Sequence, residues 1–92
     1  MVANIAEVRR LLGAEFHRGI TGDVIHRWVS LTEVREKLGD EITIQVRDDM
    51  VIVSFEVGDG PAALVGKVRD DNMLENPVLF HGAVAAVLCS NK

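Results

Sequence analysis

Cysteine is nearly missing from this chain: the 92 residues hold one, Cys89, so no intrachain disulfide can form. That usage belongs to a reducing compartment, and the expectation is a cytoplasmic protein. Tyrosine is absent, and the aromatic set is three Phe and one Trp: Phe16, Trp28, Phe55 and Phe80. There is also no clustered Lys/Arg stripe, which with so few aromatics argues against broad nucleic-acid affinity. No apolar run approaches the roughly 20 residues that cross a bilayer. The N-terminus has no uninterrupted apolar core of the secretory kind, because Glu7, Arg9 and Arg10 fall where it would lie.

What is abundant is apolar surface. The hydrophobic share is 48%, and a domain this short buries only about 60–65% of its unfolded surface. The excess predicts contacts with other chains, either copies of itself or another protein subunit. The formal charge of −4 is uneven: residues 1–40 carry six basic and six acidic groups, residues 41–92 four and eight.

Residues 41–69 read as a three-stranded antiparallel meander. With Asp48-Asp49 as a two-residue turn, Val46 faces Val51, Ile44 faces Val53 and Ile42 faces Phe55, all on one side. A four-residue turn at Gly58-Asp59-Gly60-Pro61 would then set Leu64 opposite Phe55, Gly66 opposite Val53 and Val68 opposite Val51. Gly66 packs nothing, so it predicts a bulge or a close backbone approach.

Residues 4–16 read as a helix with Asn4 as N-cap, Glu7 three residues on, and Ile5, Val8 and Leu12 as its apolar stripe. Residues 23–38 admit two readings. The favoured one is a single helix with Val24, Trp28, Leu31, Val34 and Leu38 at helical spacing and Gly39 as its stop. The other puts a strand at residues 24–29, where Val24, Ile25 and Val29 are β-branched, and a short helix from Leu31 to Leu38 capped by Ser30.

On that second reading, VSLTEVREKLG followed by DEITIQVRDDMVIVSF resembles the AbrB/MazE swapped-hairpin DNA-binding domains over about a third of the chain. The usual proline of their short helix is replaced by Leu31-Thr32, and the residues that normally follow Leu-Gly are missing. The resemblance implies a DNA-binding regulator or antitoxin, with Arg27, Arg35 and Arg47 as phosphate contacts.

At the other end, Asn76-Pro77 reads as a helix start, proline at the first helical position losing no hydrogen bond. The following VLFHGAVAAVLC is apolar nearly all round, and such a helix needs cover on every side. Val78, Phe80, Gly82, Ala83, Val84, Ala86, Val87 and Cys89 are the predicted interface. The small pairs Gly82/Ala86 and Ala85/Cys89 would allow close helix approach.

For chemistry, the echo of Arg47-Asp48-Asp49 in Arg69-Asp70-Asp71 would gather four carboxylates at one end of the meander. They could hold a divalent cation or meet a basic partner. As ordinary turns they need no ligand. His17, His26 and His81 share no metal-ligand spacing. Cys89 has no assignable base, and Gly58-x-Gly60 lacks the helix that a phosphate loop requires.

The expectation is therefore one small α+β domain over residues 1–92: a three-stranded antiparallel meander packed against helices from both chain ends, in the order α-α-β-β-β-α. The expected function is a non-enzymatic interaction or structural protein that assembles through its C-terminal helix, without cofactor, metal or membrane. The alternatives are the DNA-binding regulator and a small divalent-metal-dependent protein using Asp48, Asp49, Asp70 and Asp71.

Overall fold

The computed structural model describes residues 4–13, 16–18, 22–39, 41–58, 60–69 and 72–90. Its elements are α1 (Ile5–Leu12), β1 (Phe16–Arg18), β2 (Asp23–Ile25), β3 (Val29–Ser30), α2 (Leu31–Leu38), β4 (Thr43–Arg47), β5 (Met50–Val57), β6 (Gly60–Arg69), β7 (Met73–His81) and α3 (Ala83–Ser90). The class is α+β, but the three-stranded meander is too small. One antiparallel sheet runs β1-β2-β7-β6-β5-β4, and the two-residue β3 also pairs with β7. No helix among the described residues is long and apolar enough to cross a membrane.

The β4/β5 hairpin has the predicted register, Val46 facing Val51 and Ile44 facing Val53. In the next hairpin Val57 pairs with Gly60, so the loop is two residues and not four. Leu64 faces Val53 and Gly66 faces Val51, each two positions from expectation. An even shift keeps every side chain on its predicted face.

The helix start expected at Asn76-Pro77 is instead the middle of β7. Lys67 pairs with Glu75 and Val65 with Val78, so Asn76 and Pro77 together oppose Gly66 in a bulge. Asn76 takes a positive φ of 43°, which asparagine tolerates better than most residues. A proline inside a sheet needs a place where no ladder bond is asked of its nitrogen, and a bulge supplies one. On the other edge of β7, β2 pairs with Val78 and Leu79 and β3 with Met73 and Leu74, leaving the Pro77 position between them. Gly66 plays the structural part its isolation implied: a Cβ there would lie 3.2 Å from Pro77 Cβ and 3.3 Å from Pro77 Cα.

Residues 23–38 follow the strand reading, so the single helix is overturned. The β-branched residues form β2 and β3, with a bend at His26-Arg27 between them. Ser30 caps α2, its hydroxyl accepting from Glu33 N at 2.9 Å. Trp28, placed by helical spacing on a buried stripe, is 44% exposed, and the Arg69 guanidinium lies 5.4 Å from its ring centroid. Helix α1 keeps its predicted cap, Glu7 N donating to Asn4 Oδ1 at 2.9 Å, but ends at Leu12, and Phe16 opens a strand.

The main core lies on one face of the sheet. Helices α1 and α2 cover it, with Val8, Leu12 and Val34 fully buried against Val51, Val53, Leu64 and Leu74. The other face carries a smaller cluster of Ile52, Ala63 and Ala85, flanked by half-buried Val65, Phe80, Leu88 and Cys89, and α3 is its lid.

Candidate functional site

Helix α3 follows directly from the central strand. His81 ends β7, and Gly82 turns the chain at φ 80°, where a side chain would be strained. Gly82 N donates to Pro61 O at 3.0 Å, and Ala86 N to Gly82 O at 2.9 Å opens the helical ladder. Of the eight residues AVAAVLCS, Ala85 is fully buried, on Ile52 and Ala63. Cys89 Sγ reaches only a weak contact, 4.0 Å, to Ala62 O.

The opposite side of α3 is open. Ala83, Val84, Ala86 and Val87 are exposed, Val84 to 37% and Val87 to 67%. No acidic side chain stands in its first turn and no basic one in its last, although a surface helix normally turns charged or polar groups to water. Of the eight residues expected at an interface, these four form one exposed face. Cys89 is half-buried, Gly82 is a turn, and Val78 and Phe80 belong to β7, where both are half-buried. The small residue Ala85 meets the sheet, not a second helix.

The Asp48-Asp49 turn is exposed, and Asp49 O accepts from Val68 N at 3.0 Å, which sets it beside the end of β6. Asp70 and Asp71 lie outside the described residues. Among the described residues, no group of three or more His, Cys, Asp and Glu side chains is placed to hold a metal ion.

Arg27, assigned to phosphate under the DNA-binding alternative, is engaged inside the chain. Its guanidinium donates to Leu12 O at the end of α1, to Trp28 O, and to both carboxylate oxygens of Glu33 in the first turn of α2. The Arg27 cation thus meets the C-terminus of α1, where positive charge is favoured, and pairs with Glu33, whose carboxylate suits the N-terminus of α2. Arg27's hydrogen bond, with a further contribution from Lys37, holds the Glu33 carboxyl below the usual carboxylate range, against the opposing effect of burial. Arg35 is exposed, and Arg47 Nη2 donates to Gln45 Oε1 at 3.3 Å.

A second ion pair joins α1 to β2: buried Asp23 accepts from Arg9 Nε. An open cavity of about 320 Å³ lies between the β4–β5 edge and the end of α3, lined by Glu41, Thr43, Ser54, Phe55, Glu56 and Cys89. Ser54 Oγ and His81 Nε2 are buried without a hydrogen-bond partner. No family model, curated protein or solved structure matches this chain.

Proposed function

We propose that the protein is a non-enzymatic interaction or structural subunit that associates with copies of itself through the outer face of α3. The observation carrying this reading is Val87, two-thirds exposed on a helix with no charged side chain. Val84, Ala83 and Ala86 extend the same face. Burying what remains exposed of the two valines would return roughly 1–2 kcal/mol per side chain, and an apolar helix face suits packing against its own symmetry mate.

Light scattering on a sizing column tests it. The wild-type chain is expected to run above its monomer mass of 10.1 kDa, and Val84→Asn/Val87→Asn to shift toward that mass with its circular dichroism unchanged. A wild-type chain that stays strictly monomeric at high micromolar concentration ends the proposal.

A further inference from the structure

We infer that β4 is a second, separate docking edge, and that its occupant is β4 of another copy, paired antiparallel about Ile44. The strand ends the sheet: β5 holds one side, and among the described strands nothing pairs with the other. Its sequence, TIQVR, is short and carries one charge, Arg47 at its end, but lacks the stronger defences of an edge. It carries no proline or lysine, and its register with β5 is unbroken by a bulge. Val46 is 65% exposed on the face where Ile42 and Ile44 join the main core.

Hydrogen-bond parity limits the registers. Arg47 and Met50 close a two-residue turn, and the closing pair of such a hairpin exchanges both backbone bonds. Gln45 and Thr43 then also bond toward β5, whereas Ile44 and Val46 direct their N–H and C=O to the free side. A second copy must therefore set even-numbered residues against even-numbered residues.

The register with Ile44 opposite Ile44 satisfies that parity and matches every pair. On the core face Ile42 meets Val46 of the second copy. On the other face Thr43 meets Gln45, and Glu41 meets Arg47, twice by symmetry. Antiparallel neighbours of opposite charge and of matching apolar character are the pairs that stabilise a sheet. Apolar, neutral polar and charged positions are thus each self-complementary about one axis, as a two-fold interface requires. One short edge is a small interface, so the affinity expected is that of a transient contact.

The test is made in the Val84→Asn/Val87→Asn background, so that the α3 face is silent. Sedimentation equilibrium is expected to show a monomer–dimer equilibrium there. Glu41→Arg and Arg47→Glu should each weaken it about tenfold or more, by setting like charges opposite one another. The double reversal should restore it. In a Cys89→Ser chain, Ile44→Cys should form a disulfide-linked dimer under mild oxidation, because facing Cα atoms of such a pair lie about 5.5 Å apart. A strictly monomeric background, indifference to the single reversals, failure of the double to recover, or no crosslink at Ile44→Cys each overturns the edge pairing. A monomeric background leaves the α3 reading standing, and a wild-type mass unmoved by the asparagine changes removes the α3 reading alone.

Discussion

The two faces of the sheet are finished differently. On the main-core face, α1 and α2 behave as ordinary amphipathic helices. They bury Ile5, Val8, Leu12, Val34 and Leu38, point Arg10, Arg35, Glu36 and Lys37 at water, and begin at side-chain caps. On the other face α3 buries Ala85 and presents alanine and valine outward. A helix whose outside is finished for water needs nothing more. One whose outside is still apolar is, on the function proposed above, half of a contact, and the contrast sets that proposed face apart from the parts that hold this chain together.

The sharpest way to break the contrast is to remove core volume on each face. Leu64→Ala empties a fully buried position under two helices and is expected to cost about 3–4 kcal/mol in urea unfolding. Ile52→Ala, beneath α3, should cost about 2 kcal/mol, because a short helix with one buried residue can settle into the gap. Equal losses would mean that the two lids hold equally firmly. Gly66→Ala should cost about 1–3 kcal/mol, because the new methyl presses on the Pro77 backbone. A neutral result would show the bulge to be compliant.

Glu33→Gln tests the helix pair that closes the main-core face. The Glu33 carboxyl is held low by Arg27, so its contribution is fully present above the ordinary carboxylate value of about 4.3 and is lost as pH falls through the lowered one. Wild type should exceed the variant by about 1 kcal/mol near neutrality, and the gap should close in acid. A gap independent of pH would sink this account. The smallest stability effect belongs to the Val84 and Val87 changes, within about 0.5 kcal/mol for exposed positions, although they should have the largest effect on mass.

The β4/β5 register was legible because period-two alternation and a two-residue turn leave one solution. The cap at Asn4 was legible from local chemistry, and the cap at Ser30 only on the reading of residues 23–38 that was not favoured. What failed was non-local. Asn76-Pro77 has the local chemistry of a helix start, but the place of β7 between β6 and the β2/β3 pair overrides it, and the only sequence hint was Gly66, which needs a bulky neighbour to explain it. Trp28 fell on a helical stripe by coincidence of spacing. The candidate face on α3 was half legible: its apolar excess could be read from composition, but the strand residues Val78 and Phe80 could not be separated from it until β7 was in place.

The position of β7 also dictates the order in which the molecule can be assembled. Its partners lie on both sides of it in space but entirely upstream of it in the chain, β2 about fifty residues away. Until β7 has been synthesised, the N-terminal strands and the β4–β6 hairpins are two unjoined pieces. Joining them means closing the longest loop between the described strands, a step whose entropy cost grows slowly, with the logarithm of the sequence distance spanned. A nascent chain therefore carries those unmatched strand edges until residues 73–81 emerge, and the piece that seals them arrives with the proline already inside it.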